Sequence, residues 1–148
     1  MEKLYYGYDL FKEDTQKLVN KCRNFEPQIL LAVARGGLTL AHLMAQALNI
    51  RDLYTLNSIH YDGEKKLDSF NIFNIPDLSG ANRVLIIDDI VDSGETMKEI
   101  LFILKEKFPN IEFKIATLFY KTTALIKPDF SVREANEWID FFWEVDVK

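Results

Sequence analysis

The apolar residues of this chain recur at two spacings, one typical of amphipathic helices and the other of buried strands. A helix capped by Asp9 is predicted at about residues 9–24, since apolar residues fall there at helical spacing: Phe11, Leu18, Val19, Cys22 and Phe25. Residues 29–34 are all apolar and lie between Pro27 and Gly36, which predicts a strand buried on both faces of a parallel sheet. A second helix is predicted at about residues 38–48, and a second strand at 53–59.

The second half of the chain continues this alternation. Residues 70–75 alternate apolar side chains with asparagine, as a half-exposed antiparallel strand does. Residues 84–87 predict a buried strand, and the helix that follows has apolar positions at Met97, Ile100, Leu101, Leu104 and Phe108. A strand is predicted at 113–120, and the chain beyond Pro128 carries an aromatic cluster without a long amphipathic helix. This order indicates one α/β domain over residues 1–148, with a parallel sheet and helices on both of its faces.

Composition narrows the classes of protein that this chain can be. With 148 residues, 48% of them hydrophobic and 28% charged, the chain is expected to fold around a globular core. The net charge is −5 and no dense basic block occurs, so nucleic acid is not expected as a partner. The longest apolar run, residues 29–34, falls far short of the roughly 20 residues of a membrane-spanning helix, and no signal-like stretch opens the chain. A single cysteine, Cys22, excludes an internal disulfide framework, and we expect a cytoplasmic protein.

The candidate chemistry is concentrated after the strand at 84–87. Ligands of parallel sheets bind beyond the carboxyl ends of the strands, so Asp88 and Asp89 are expected at the mouth of a site. Two adjacent carboxylates repel each other unless a metal ion or a polyol binds them. Residues 92–96 then open a helix, whose free amides suit a phosphate, and the hydroxyls of Ser93 and Thr96 add donors. Together these features predict a site for a phosphorylated sugar with Mg²⁺ near its oxygens.

An acidic pair after an apolar strand has other meanings when it stands alone. It also occurs in the Walker B segments of NTPases and in the acidic pocket of response-regulator receiver domains. The Walker interpretation requires the sequence G-x-x-x-x-G-K-[S/T], which this chain lacks. A receiver domain has its acidic pair near the N-terminus and a phospho-accepting aspartate well downstream, and too little suitable chain follows Asp89. The turn at residues 92–96 therefore favours the sugar phosphate.

The run from Val84 to Thr96 resembles the signature of type I phosphoribosyltransferases. That signature has four hydrophobic residues, two acids, two hydrophobic residues and then Asp-Ser/Thr-Gly-x-Thr. Residues 34–38, Ala-Arg-Gly-Gly-Leu, resemble the pyrophosphate-binding loop of the family. Lys121 and the run Glu-Trp-Ile-Asp at 137–140 resemble the base-recognition elements of its xanthine-guanine branch. The resemblance covers nearly the whole chain and is weakest in residues 60–82.

This resemblance implies a parallel Rossmann-like sheet flanked by helices, with a small hood formed largely by the C-terminal segment. It also implies a purine salvage enzyme, a pentosyl transferase that moves the phosphoribosyl group of PRPP to a purine base and releases pyrophosphate. Asp92 is the implied general base, and Arg35 and Mg²⁺ are suited to neutralise the departing pyrophosphate. A cis peptide bond between Ala34 and Arg35 is implied as well. Asp88 and Asp89 would hold Mg²⁺ directly or through water, and the implied PRPP-binding residues are Arg35, Gly36, Gly37, Asp88, Asp89, Asp92, Ser93, Gly94, Glu95 and Thr96.

The base end of the site is assigned by the same resemblance to Lys121, Trp138 and Ile139. Lys121 carries only donors, so it favours an exocyclic oxygen at purine position 6 and opposes the amino group of adenine. Guanine, xanthine or hypoxanthine is therefore the expected base, with Trp138 stacked on it and the carbonyls around Ile139 accepting from a 2-amino group. The loop at residues 61–68 corresponds in position to a lid over PRPP, with Lys65 and Lys66 as candidate phosphate contacts. A homo-oligomer, dimer or tetramer, is also implied.

A second hypothesis is a regulatory protein of the same fold. Such a protein senses PRPP or nucleotides and binds nucleic acid without turnover. The presence of Arg35 and Asp92 and the net charge of −5 favour the enzyme.

Overall fold

The computed structural model describes residues 2–61 and 69–148 of the chain. The described residues form eight strands and three α-helices, and a short 3-10 helix at Arg23–Phe25 extends the first helix. In chain order these elements are β1 (Lys3–Tyr6), α1 (Tyr8–Cys22), β2 (Ile29–Ala34), α2 (Leu38–Leu48), β3 (Leu53–Tyr61), β4 (Ser69–Phe73), β5 (Arg83–Val91), α3 (Glu95–Lys107), β6 (Glu112–Tyr120), β7 (Arg133–Glu134) and β8 (Trp138–Phe141).

The main sheet has six strands in the order β4-β3-β2-β5-β6-β7. Strands β2, β3, β5, β6 and β7 pair in parallel, and β4 pairs antiparallel with β3. The predicted α/β architecture, with a parallel sheet and a half-exposed antiparallel strand after residue 69, is therefore confirmed.

Helices cover both faces of this sheet, because the strand residues alternate between two core clusters. Leu30 and Ala32 of β2, with Leu85 and Ile87 of β5, pack under α1 and α2. Their neighbours in sequence pack on the other face, where α3 contributes Met97, Ile100 and Leu104. Two-sided burial accounts for the unbroken apolar runs in both strands. Among the described residues, no helix is long and apolar enough to cross a membrane.

The strands that the sequence analysis did not predict are short and lie near the chain ends. β1 pairs in parallel with β8, with Lys3 opposite Trp138 and Tyr6 opposite Phe141, and we call this two-stranded sheet the hood. The hood thus combines the expected C-terminal segment with a strand from the start of the chain. Asp9 is also not the helix cap: α1 begins at Tyr8 with Gly7 at the N-cap position, and Asp9 lies in the first turn.

A buried polar cluster anchors the hood to the main body. The Tyr6 hydroxyl donates to Asp14 Oδ2 at 2.6 Å, and Arg133 donates to both oxygens of the same carboxylate, at 2.6 and 3.2 Å. The Tyr6 ring also packs edge-on against Phe119 and Phe141. Because Tyr6 belongs to β1, Asp14 to α1 and Arg133 to β7, these contacts connect three elements that are distant in sequence.

Candidate functional site

The predicted site residues follow the carboxyl ends of three neighbouring strands. Arg35 comes directly after β2, the acidic stretch occupies the end of β5, and Lys121 comes directly after β6. Since β2, β5 and β6 run in parallel and lie side by side, these ends meet at one edge of the sheet. The acidic pair differs in one detail from the expectation, because β5 continues through Asp88 and Asp89 to Val91.

A first cavity of about 320 Å³ opens between the loop after β2 and the start of α3. It is lined by Val33, Ala34, Arg35, Gly36, Ser58, Asp88, Asp89, Ile90, Val91, Asp92, Ser93, Gly94, Thr96 and Met97. Ser58 was missed by the sequence analysis. The register of the sheet explains its position. Ala34 of β2 pairs with Asn57 of β3, so Ser58 lies beside Arg35, the first residue after β2.

The loop after β2 lies so close to β5 that two of its positions have no room for a side chain. The peptide bond between Ala34 and Arg35 is cis, which confirms the expectation from the sequence. A Cβ at Gly36 would lie 2.7 Å from Asp89 Oδ2, and a Cβ at Gly37 would lie 2.5 Å from the Ile87 carbonyl oxygen. Glycine at both positions therefore brings the Arg35 loop directly against the acidic pair.

The start of α3 forms the opposite wall of the first cavity. Gly94 has a φ of 85° and is the N-cap, and the helix opens with Lys98 N–H donating to the Gly94 carbonyl at 2.9 Å. The preceding amides have no intrahelical acceptor, and the positive end of the helix dipole lies there. The Glu95 N–H donates to Ser93 Oγ at 3.2 Å, a contact that an anion would have to replace or share. This wall can bind a phosphate.

Asp88 and Asp89 form a partly buried acidic pair. The Asp89 amide donates to Asp88 Oδ1 at 2.8 Å, and the Ile90 amide donates to Asp89 Oδ1 at 2.7 Å. Burial, followed by the adjacent Asp89 charge, raises the pKa of Asp88 well above its ordinary value. Burial likewise raises the pKa of Asp89, although its hydrogen bonds oppose this. Both shifts mean that a cation or donor at this place would stabilise the two carboxylates.

A second cavity of about 340 Å³ lies on the other side of the acidic stretch, under the hood. Its lining is Asp89, Ile90, Asp92, Lys121, Ala135, Asn136, Glu137, Trp138, Ile139, Phe141 and Glu144. Lys121 Nζ lies 2.7 Å from Asp92 Oδ1, an ion pair that the sequence analysis did not anticipate. This cavity combines an aromatic and aliphatic wall with a small number of charged groups, as sites for planar organic molecules do.

The hood sets the position of the wall made by β8. Ile139 is buried and lies opposite Leu4 of β1, whereas Trp138 keeps 57% of its surface exposed. Glu144, also missed by the sequence analysis, enters the cavity just beyond β8, where Trp143 stacks on Phe141 at 4.6 Å between ring centroids. Burial, then the charges of Asp89 and Asp140, raises the pKa of Glu144.

The two cavities share a wall made of Asp89, Ile90 and Asp92. A molecule in the first cavity and a molecule in the second would therefore meet at Asp92. This arrangement can bring two substrates together, one held by its phosphates and the other by a flat ring.

Most of the predicted site residues line one of these cavities. Gly37 and Glu95 do not: Gly37 packs on the backbone of β5, and the Glu95 side chain is exposed. The predicted lid residues Lys65 and Lys66 lie outside the described residues.

Among the described residues, no three His, Cys, Asp or Glu side chains converge as a metal cage. The two adjacent carboxylates of Asp88 and Asp89 nevertheless fit Mg²⁺, a hard cation that takes one or two protein carboxylates and completes its shell with water and substrate oxygens.

The chain is similar to known proteins over most of its length. Residues 8–148 match the model of the phosphoribosyl transferase domain family. The chain is 29% identical over 121 residues to the xanthine-guanine phosphoribosyltransferase of Idiomarina loihiensis, covering 80% of this chain and 71% of that protein.

Two solved structures are similar over nearly their whole length. The Helicobacter pylori xanthine-guanine-hypoxanthine phosphoribosyltransferase superposes with a TM-score of 0.91 at 37% identity, covering 97% of this chain and 95% of the other. The purine phosphoribosyltransferase of Pyrococcus horikoshii superposes with a TM-score of 0.84 at 31% identity, covering 100% and 97%.

Proposed function

The chain belongs to the phosphoribosyl transferase domain family, and we propose that it transfers the phosphoribosyl group of PRPP to a 6-oxopurine base. The base is guanine, xanthine or hypoxanthine, and the reaction is one of purine salvage. The names of the similar proteins, which act on xanthine, guanine, hypoxanthine or purines, support this base class. The regulatory hypothesis has no comparable support.

The observation that carries the proposal is the pair of adjoining cavities with Asp89, Ile90 and Asp92 in common. PRPP needs a site for its phosphates and its ribose, and the base needs a flat site next to the C1′ carbon. In the reaction, the bond between C1′ and the pyrophosphate oxygen breaks, and its electrons leave with pyrophosphate. A bond from C1′ to a ring nitrogen of the base forms in its place. The shared wall is where these two events can meet.

The first cavity supplies the groups for PRPP. The amides that open α3, with the hydroxyls of Ser93 and Thr96, suit the 5′-phosphate, because the helix dipole favours a negative charge there. Arg35, an exposed residue at the cavity rim, suits the pyrophosphate. Its permanent positive charge opposes the negative charge that develops on the leaving group.

The acidic pair gives PRPP its third contact. The carboxylates of Asp88 and Asp89 can accept hydrogen bonds from the ribose hydroxyls, and they would hold Mg²⁺ directly or through water. When bound, Mg²⁺ supplies positive charge to the oxygens of the substrate. The raised pKa values of both carboxyl groups fit this role, because burial penalises their charged forms and a bound cation would offset that penalty.

The second cavity supplies the groups for the base. Lys121 donates to the oxygen at position 6, and Trp138 and Ile139 cover the ring and its 2-position. Asp92 faces both cavities and accepts the proton that the imidazole ring of the base loses as the new bond forms. Adenine presents an amino group to Lys121, which sets donor against donor, so it is excluded.

A panel of bases tests this proposal. The protein, PRPP and Mg²⁺ are incubated with guanine, xanthine, hypoxanthine or adenine, and nucleotide and pyrophosphate are measured. We expect nucleotide from the 6-oxopurines and none from adenine. The variant Asp92→Ala should lower kcat about 100-fold or more while it retains PRPP binding in a calorimeter. Absence of nucleotide with every base would refute the proposal.

Two further properties belong to the same proposal. Residues 1–148 act as one domain, a view supported by the single main sheet that both core clusters share. The protein forms a homo-oligomer, a dimer or tetramer, as the family resemblance implies. Light scattering coupled to size-exclusion chromatography measures the mass in solution, and a monomer across the micromolar range would contradict this point.

A further inference from the structure

Lys121 and Asp92 come together because of the register between two strands. Val91, the last residue of β5, pairs with Tyr120, the last residue of β6, so Asp92 and Lys121 are the first residues beyond this pair. The Lys121 amide donates to the Val91 carbonyl at 2.9 Å, which continues the pairing past the strand ends. The backbone of Lys121 is therefore fixed beside that of Asp92.

The ion pair between the two side chains has little to contribute to stability. The Lys121 side chain is 42% exposed and the Asp92 side chain 61% exposed. Pairs as open to water as this one are worth about 0–1 kcal/mol. A role in folding is thus a poor explanation for the 2.7 Å contact.

The charges around the pair indicate a different role. Of the described residues that line the second cavity, Lys121 carries the positive charge, whereas Asp89, Asp92, Glu137 and Glu144 are acids. Without Lys121, the neighbouring carboxylates would repel Asp92 and favour a rotamer turned toward water. An acceptor that has turned away no longer lies within hydrogen-bond reach of the proton it must take.

We propose that Lys121 is a positioning residue for Asp92, in addition to its contact with the base: its ammonium group holds the Asp92 carboxylate at the wall that both cavities share. The inference rests on the proposed function, in which Asp92 accepts the proton of the base. The two roles are compatible because an ammonium group has three N–H donors. One can remain on Asp92 while another reaches the oxygen of the base.

The two roles of Lys121 differ in what they predict for a base without an oxygen at position 6. If Lys121 acts only on that oxygen, its replacement leaves the turnover of unsubstituted purine unchanged. If it also positions Asp92, turnover of both kinds of base falls. Unsubstituted purine and guanine are therefore the pair of substrates that separates the roles.

The test measures kcat at saturating PRPP for Lys121→Met and Lys121→Arg with both bases. We expect Lys121→Met to lower kcat on unsubstituted purine about tenfold or more, since small misplacements of a reacting group cost that much. Lys121→Arg keeps the charge and the donors, so it should restore most of that loss. Lys127→Met is the matched control, because it removes an exposed lysine of the same segment. The melting temperature should stay unchanged in all three variants.

A double-mutant cycle with guanine gives a second measurement that does not depend on turnover of unsubstituted purine. If Lys121 acts through Asp92, the loss caused by Lys121→Met is smaller in the Asp92→Asn background than in the wild type. Equal losses in both backgrounds would overturn the inference. So would a Lys121→Met variant that loses turnover of guanine but keeps wild-type turnover of unsubstituted purine. Either result would leave the proposed function intact. A wild-type protein that is inactive with every base would refute both the proposed function and the positioning role of Lys121.

Discussion

Trp138 is an exposed aromatic residue whose position at the second cavity suits it to stack on a base. The residue is 57% exposed on the hood, yet it also lines the second cavity. Tyr5, which pairs with Asp140 one strand away, is 65% exposed and does not line that cavity. The chain thus offers two exposed aromatic side chains on one small sheet, of which only Trp138 can contact a base in the cavity.

The comparison of Trp138→Ala with Tyr5→Ala tests the stacking role. Stacking on an aromatic side chain is worth about 1–3 kcal/mol per base, so Trp138→Ala should raise the KM for guanine roughly 5- to 150-fold. The KM for PRPP should change little. Tyr5→Ala should leave both constants near the wild-type values. Steady-state kinetics with each substrate varied in turn measures all four quantities, and equal effects of the two variants would rule out stacking.

At the scale of elements, the turn after β6 supports the start of α3. The Leu125 N–H donates to the Ser93 carbonyl at 2.8 Å. A Cβ at Gly94 would lie 2.8 Å from the backbone nitrogens of both Leu125 and Ile126. The wall for the 5′-phosphate and the segment that carries Lys121 are therefore packed backbone to backbone, so a displacement of one displaces the other.

The variant Gly94→Ala tests this contact, and Gly80→Ala is its control. Both glycines have a left-handed φ, 85° and 92°, but a Cβ at Gly80 meets nothing within 4 Å. The left-handed conformation costs an alanine about 1–2 kcal/mol of stability in either variant. Only Gly94→Ala also forces backbone atoms apart, so its KM for PRPP should rise about tenfold or more. Urea unfolding and PRPP kinetics measure the two effects, and a normal KM in Gly94→Ala would contradict the contact.

The elements that could be predicted from the sequence are those whose pattern is local. β2 and α2 have the predicted bounds, because burial on two faces leaves an uninterrupted apolar run and a helix leaves a regular apolar spacing. β7 has two residues and β8 has four, which is too short for any periodicity to be visible. Their pairing partners, β6 and β1, lie elsewhere in the chain, so no local pattern predicts them.

For the whole molecule, the site residues also divide into those that a local sequence motif predicts and those whose position depends on tertiary pairing. The residues of the acidic stretch and of the Arg35 loop could be found, because each motif is continuous in sequence. The Lys121–Asp92 pair, Ser58 and Glu144 could not, since their positions depend on the register of β5 with β6, on that of β2 with β3, and on the hood. Tertiary pairing thus supplies the contacts between motifs that are separate in sequence.

Burial in the core also sets how the stability of the whole molecule depends on pH. Cys22 is fully buried, and burial raises the pKa of its thiol from 9.0 to about 12. Burial and the Asp14 carboxylate raise the pKa of Tyr6 well above its ordinary value of 10.0. Both groups stay protonated in the folded state at pH values where the unfolded chain has already lost the protons.

The free energy of unfolding should therefore fall as the pH rises from about 9 toward 12. Each group contributes its full stabilisation below its unfolded pKa, and one proton corresponds to about 1.4 kcal/mol per pH unit. Cys22→Ala should remove the part of the decline that begins near pH 9, and Tyr6→Phe should remove the part that begins near pH 10. Both variants also lower the stability at neutral pH, Cys22→Ala through lost packing and Tyr6→Phe through a lost hydrogen bond. Urea unfolding between pH 7 and pH 11 measures each slope. If Cys22→Ala retained the wild-type slope between pH 9 and pH 10, the thiol would have to titrate in the folded protein as it does in the unfolded chain, and the packing of α1 against the sheet would need revision.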